Sequence, residues 1–239
     1  MHLAQRAADP RPAETRRRIL DTSLRLFAEH GFKGVSVRDI SVAAGVNVAA
    51  VNYHFGSKQG LYRTIFQTVL DEDEARFAEQ MDNLTALLDS AGHNPTLLLG
   101  AVEILAAGTV RRIAAYEHAH WFSVLLAREL AFPGDLFEVL YRRRVEPMLT
   151  LLSRLVAVAR GASETEEETR LTANLVHGQA LNLVFSKAIL WRQAGWDGGY
   201  TPERVDLLTR ALADLLHRAI GLSADSIALQ PSGTAGGRQ

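Results

Sequence analysis

The stretch richest in chemical possibility runs from Ser36 to Lys58, SVRDISVAAGVNVAAVNYHFGSK. Two short helical segments flank Ala44-Gly45-Val46, where Gly45 can take the positive φ of a tight interhelical turn. Ile40, Ala44, Val46 and Val51 fall where such a pair packs its own small core, and Ser41 and Ala44 are small enough to let the helices approach. The outward face of the second segment then carries Asn47, Ala49, Ala50, Asn52, Tyr53 and His54. A short helix that shows small residues beside Asn and Tyr suits entry into a DNA major groove. An ordinary helical hairpin shares the helix–glycine–helix pattern. The basic surroundings and the run Tyr53-His54-Phe55-Gly56-Ser57-Lys58 favour the groove reader.

Bond-making chemistry is poorly represented. The chain has no cysteine, which excludes a disulfide framework, a thiolate metal site and a cysteine nucleophile. His118 and His120, beside Glu117, are spaced i, i+2 and so point apart on a helix. No phosphate-binding glycine loop, nucleophile elbow or His-Glu-x-x-His motif occurs. No catalytic residue, metal or cofactor is therefore expected. The rival reading is an all-helical enzyme, or a partner-binding module, with an incidental helix-turn-helix head. An enzyme would need an acid–base pair in the body, and none stands at useful spacing.

The elements that must position the motif read as helices throughout. Leucine outnumbers isoleucine 34 to 8, which favours helix over strand. The spacing predicts helices over about 14–30, 36–44, 47–54 and 57–81, with Ser36 and Asp39 as a capping box. After the polar stretch Ser90-Ala91-Gly92-His93-Asn94-Pro95, helices are expected over 96–109, 112–130, 134–160, 164–194 and 202–220, with a kink or break at Pro147. The fold class is all-α: a helix-turn-helix domain over 14–60, a helical body over 61–220, and flexible tails over 1–13 and 222–239.

Charge separates head from body. The net charge is −1, yet residues 1–60 hold 9 basic and 5 acidic side chains and the remainder 17 and 22. A basic head on an acidic body suggests that the head meets a polyanion. No stretch reaches 18 apolar residues and no apolar segment follows the basic N-terminus closely, so the expectation is a cytoplasmic protein without a membrane contact.

On this ground residues 14–63 resemble the DNA-binding domain of TetR-family transcriptional regulators. The matching pieces are RILD and LFAEHGF in the first helix, VRDISVAAGV, and VNYHFGSKQGLY. Ser41 departs from the alanine usual at its position, with little change in volume. The resemblance implies that Tyr53 and Lys58 grip DNA phosphates, with Lys58 in the first turn of its helix, where backbone N–H groups add to anion binding. It places Ser36 and Arg38 against the backbone beside them. Asn47, Val48, Ala49, Asn52 and His54 become candidates for base contact: Asn52 with adenine, Val48 or Ala49 with a thymine methyl. His54 also fits a packing role under the following helix. A second segment, FSVLLARELAFP over 122–133, together with Val145-Glu146-Pro147 and Gly178-Gln179, is similar to a subgroup linked to efflux or antibiotic response.

The resemblance further implies a homodimer on palindromic double-stranded DNA, with a small-molecule effector bound in the body. Candidate pocket residues are Tyr116, His120, Trp121, Arg128, Phe137, Tyr141, His177, Asn182 and Phe185, which would suit an aromatic or amphipathic effector. Aromatic residues at helical spacing also serve as ordinary core. Dimer candidates are Leu171, Leu175, Leu208, Leu212, Leu215 and Leu216 on the last two long helices. The function expected is a ligand-responsive repressor that an effector releases from its operator.

Overall fold

Pro10 and Pro12 sit in the first turn of a helix, where a missing N–H costs nothing. The computed structural model describes residues 10–114 and 117–222, and every regular element among them is helical. Helix α1 spans Pro10–Gly34 and breaks at Gly31, which has φ 74° and ψ 166°. Residues 10–13, expected in a loose arm, are thus helical. Leu222, expected in a tail, is buried. The remainder of both expected tails, 1–9 and 223–239, lies outside the described residues.

Helices α2 (Val37–Ala43) and α3 (Val48–Phe55) form the expected pair. Helix α4 runs Lys58–Ala91, past the predicted end near Met81. No proline or glycine interrupts it between Gly60 and Gly92, so the helix continues until Gly92. Helices α5 (Pro95–Ala114) and α6 (Glu117–Ala131) follow.

The predicted 134–160 helix is three pieces: α7 (Phe137–Leu140), a π-helical turn (Tyr141–Val145) and α8 (Glu146–Arg160). Pro147 lacks the N–H that would continue the regular ladder, and the wider turn just before it absorbs the fault. The predicted 164–194 helix is two: α9 (Glu167–Phe185) and α10 (Lys187–Ala194). At the junction Ser186 Oγ donates to the Asn182 carbonyl at 2.6 Å, a back-bond that bends helices. Helix α11 spans Pro202–Ile220, capped by Thr201.

Contacts divide the chain into two compact units. The first holds residues 10–75 and 117–139. Its centre is a run of rings: Phe27 meets Tyr62 edge-on at 5.2 Å, Tyr62 meets Phe66 at 5.1 Å, and Phe66 meets Phe122 at 5.5 Å. Phe27, Phe66, Ile19, Ile40 and Leu61 are fully buried around it, each contributing about 1.5–3 kcal/mol. The second unit covers residues 76–114 and 140–222. Its core joins Leu98, Val102 and Leu105 of α5 with Leu152 and Val156 of α8, Ala173 and Val176 of α9, and Leu212, Leu216 and Ile220 of α11.

Candidate nucleic-acid interface

The α2–α3 region is fixed by local hydrogen bonds that its own sequence encodes. Asp39 N donates to Ser36 Oγ at 3.1 Å, and Ser36 N donates back to Asp39 Oδ2 at 2.8 Å. Ser36 Oγ also donates to Oδ2 at 2.7 Å, and this bond, with that from Ser36 N, holds the Asp39 carboxyl below its ordinary range. Gly45 takes φ 62° in the turn. Asn47 is the N-cap of α3, with Ala50 N donating to its Oδ1 at 2.7 Å. A Cβ on Gly60 would collide with the Phe55 carbonyl, so the passage from α3 into α4 requires glycine there. Ile40, Ala44, Val51 and Phe55 are buried beneath these two helices.

What remains outside is a short, mixed face. Asn47, Val48, Ala49, Asn52 and Tyr53 are exposed, Tyr53 to 84%. His54 is half-buried, its ring 5.2 Å from that of Tyr53 and 6.0 Å from that of Phe55. Asn47 stands just ahead of the helix, with its oxygen occupied by the cap and its amide N–H donors left over. It therefore offers donors rather than the two-sided edge that Asn52 offers. Ser36 and Arg38 are exposed at the start of α2.

Lys58 does more than the sequence suggested. Its Nζ donates to the carbonyls of Phe32 at 3.0 Å and Val35 at 2.9 Å and lies 4.2 Å from the centre of the Phe32 ring. Two of its three donors thus clamp the end of α1, and one is left for an anion. Two further residues escaped the sequence reading. Val42 is 76% exposed on α2, and Arg16 carries its guanidinium 5.5 Å from the Phe55 ring, at the end of α3. Nothing in the helical periodicity of α1 marks Arg16 apart from Arg17 and Arg18.

The candidate effector residues fall in both units. Tyr116 lies outside the described residues. His120, Trp121, Arg128 and Phe137 belong to the first unit, and Tyr141, His177, Asn182 and Phe185 to the second. Arg128 Nη2 donates to the Glu29 carbonyl at 3.1 Å, which makes it a cap on α1. Tyr141 borders a surface hollow with Leu149, Thr150 and Arg170. His177 is half-buried, and burial depresses its pKa. Asn182 and Phe185 are exposed. Among the described residues no three His, Asp or Glu side chains converge as metal ligands would.

The dimer candidates separate cleanly. Leu208, Leu212 and Leu216 are 9%, 6% and 4% exposed and belong to the second unit's own core, which corrects their assignment to a free face. Leu171, Leu175 and Leu215 are exposed, joined by Phe185, Ile189 and Leu207. No helix among the described residues is long and apolar enough to cross a membrane.

Comparison with known proteins agrees with this arrangement. Residues 19–65 match the family described as bacterial regulatory proteins, tetR family, and residues 101–222 match the C-terminal domain of the HTH-type transcriptional dual regulator CecR. CecR of Shigella flexneri is 21% identical over 199 residues, 83% of this chain and 88% of that protein. The HTH-type transcriptional repressor AcnR of Corynebacterium glutamicum is 40% identical over 73 residues, 30% of this chain and only 37% of AcnR. The crystal structure of AibR in complex with isovaleryl coenzyme A and operator DNA shares the fold, with TM-score 0.56 and 15% identity over 84% of this chain and 97% of that one.

Proposed function

Because the chain belongs to the TetR family of bacterial regulatory proteins and is a transcriptional regulator rather than an enzyme, we propose that it is a homodimeric repressor that reads operator DNA with α3 and leaves it on binding a small-molecule effector. The observation that carries the reading is the α3 face: exposed Val48, Ala49, Asn52 and Tyr53, held in place by caps on both sides. Asn52 pairs with an adenine edge, and Val48 and Ala49 meet thymine methyls. Asn47 and His54 reach neighbouring bases through their donors. Tyr53, Arg38, Ser36 and the third donor of Lys58 meet phosphates, which fix register and carry no sequence information.

One α3 covers one half-site, so two-fold pairing supplies a palindromic reader. The exposed stripe of Leu171, Leu175, Phe185 and Ile189, with Leu207 and Leu215 of α11, is the surface for that pairing. Leu171, Leu175, Asn182 and Phe185 recur at the spacing of one helical face. AibR was crystallised with both a ligand and operator DNA, and AcnR is a repressor. The same pair of partners, effector and operator, is assigned to this chain on that likeness. The effector acts by binding more tightly to the state that holds DNA poorly, and that difference sets the size of the response. Tyr141 and His177, both of the second unit, are kept as effector contacts. Asn182 and Phe185 are better accounted for as parts of the exposed stripe, and Arg128 as a cap on α1 that also lines a cleft of the first unit.

The test is a fluorescence titration of labelled operator by the full chain, with and without candidate effectors. The reading expects sequence-specific binding, two chains per operator, and at least one small molecule that releases it. Binding that ignores sequence would overturn it.

A further inference from the structure

The first unit contains a cleft of about 790 Å³ that the DNA-reading role does not use. It opens between the end of α1, the start of α4, and the end of α6 with the turn after it. This volume lies within the range of small-molecule sites. Phe32, Tyr62, Leu125, Phe132, Pro133 and Leu136 give it apolar walls. Phe132 is 80% exposed, an aromatic side chain left open to water beside a concave surface.

The charges around the cleft do not cancel. Glu129 is 6% exposed, and its acceptors are committed: Gly134 N and Leu136 N donate to Oε1 at 2.9 and 3.1 Å, and Tyr62 Oη donates to Oε2 at 3.2 Å. Burial, with the Glu129 carboxylate beside it, pushes the Tyr62 phenol far above its ordinary pKa, so it stays a donor. Arg63 pairs with Asp135 at 3.3 Å, and Gln59 donates to the same carboxylate. Three cations, Lys33, Arg63 and Arg128, thus face two carboxylates, Glu129 with both oxygens engaged and Asp135 with Oδ2 engaged, which leaves one positive charge in excess. Lys33 is exposed at the rim, and Arg128 spends Nη2 on the Glu29 carbonyl.

We propose that this cleft is a second ligand site, taking a small amphipathic carboxylate whose head group meets Lys33 and Arg128 and whose alkyl chain lies against Phe132, Pro133 and Phe32. A cationic amphiphile meets the wrong sign of charge, and a purely apolar one leaves the excess charge unmet. The site bears on the head directly. The Phe32 ring that walls the cleft also carries the Lys58 ammonium, and Lys58 holds the carbonyls of Phe32 and Val35. An occupant therefore buttresses the junction of α1 with α4, on which α3 is mounted. The site is separate from the effector response of the helical body and does not depend on it.

The experiment uses the full chain and octanoate carrying a photoreactive diazirine at its chain end, with labelled peptides mapped by mass spectrometry. The site expects labelling within 30–34, 59–63 and 125–136, competed by octanoate and not by octylammonium. Lys33→Glu and Ala131→Trp change exposed positions, one reversing the charge and the other filling the space. Each is expected to weaken octanoate competition at least tenfold while circular dichroism still reports a folded chain. Labelling confined to 140–222, no labelling at all, or equal competition by octylammonium would overturn the proposal.

Discussion

Helices α3 and α9 both leave apolar side chains in water, but the two faces differ in kind. On α3 the apolar groups are small and interleaved with Asn52 and Tyr53, and the helix is eight residues long between a side-chain cap and a glycine. On α9 and α11 the exposed apolar groups are large aliphatics, Leu171, Leu175, Leu207 and Leu215. A face that alternates hydrogen-bonding groups with methyls is matched by base edges, which present both. A face of leucines is matched only by another protein surface, because no base edge repays so much buried hydrocarbon. Burial thus distinguishes two kinds of partner that hydrophobicity alone would merge.

The largest effects should separate the exposed leucines from the buried ones. Leu175→Glu combined with Leu215→Glu is expected to halve the mass seen by light scattering while helical circular dichroism persists. Leu212→Glu should instead unfold its unit, since a buried unpaired charge costs roughly 3 kcal/mol or more. If Leu212→Glu merely halved the mass, the division between stripe and core would fail.

Next come the residues of the head. Lys58→Ala is expected to lower stability by about 1–3 kcal/mol, because two carbonyls lose a charged donor. It should also flatten the log K against log salt slope by about 2 per dimer, at roughly 0.9 per phosphate. Asn52→Ala should leave thermal stability within about 0.5 kcal/mol and cost about 1–3 kcal/mol of preference at a single base position. Asn47→Ala should show both effects in miniature, with loss of about 1 kcal/mol of stability from the cap. Thermal melting and binding to a randomised duplex library separate these outcomes. A loss of stability in Asn52→Ala to match that of Asn47→Ala would blur the distinction between reader and cap.

The smallest effect concerns the second unit. Burial holds the His177 pKa below 6.5, so the unfolded chain takes up a proton before the folded one does. Its contribution to stability is complete above pH 6.5 and is lost as pH falls through the folded value. His177→Gln should flatten the melting temperature between about pH 7.5 and about pH 5.5. A wild-type profile that the substitution leaves unchanged would contradict this.

Local rules made the head readable from sequence. Ser36, Asp39 and Gly45 act on neighbours within four residues, and each stands where its type predicted. Asn47 shows the limit: its side chain faces out, but the cap bond that occupies its oxygen depends on where α3 begins. In the body the signals were weaker. Nothing in Ser186 announced the break between α9 and α10, because serine bends a helix only when its hydroxyl turns back on the chain. Leu212 and Leu215 look alike in any periodic pattern, and only the packing of α5 against α11 places the first inside. Arg128 lines the first unit's cleft and also caps α1. Its partner, the Glu29 carbonyl, lies 99 residues away in sequence and could not be inferred from spacing.

The central claim is that the α3 face reads bases as one half of a symmetric pair. Selection of bound duplexes from a randomised library, with the wild-type chain and Asn52→Ala in parallel, tests it most directly. The account predicts an inverted repeat with half-sites about 10 base pairs, or a multiple, apart. It also predicts that Asn52→Ala changes the preferred base at one position in each half. Enrichment of no sequence, or an unchanged motif in Asn52→Ala, would contradict it.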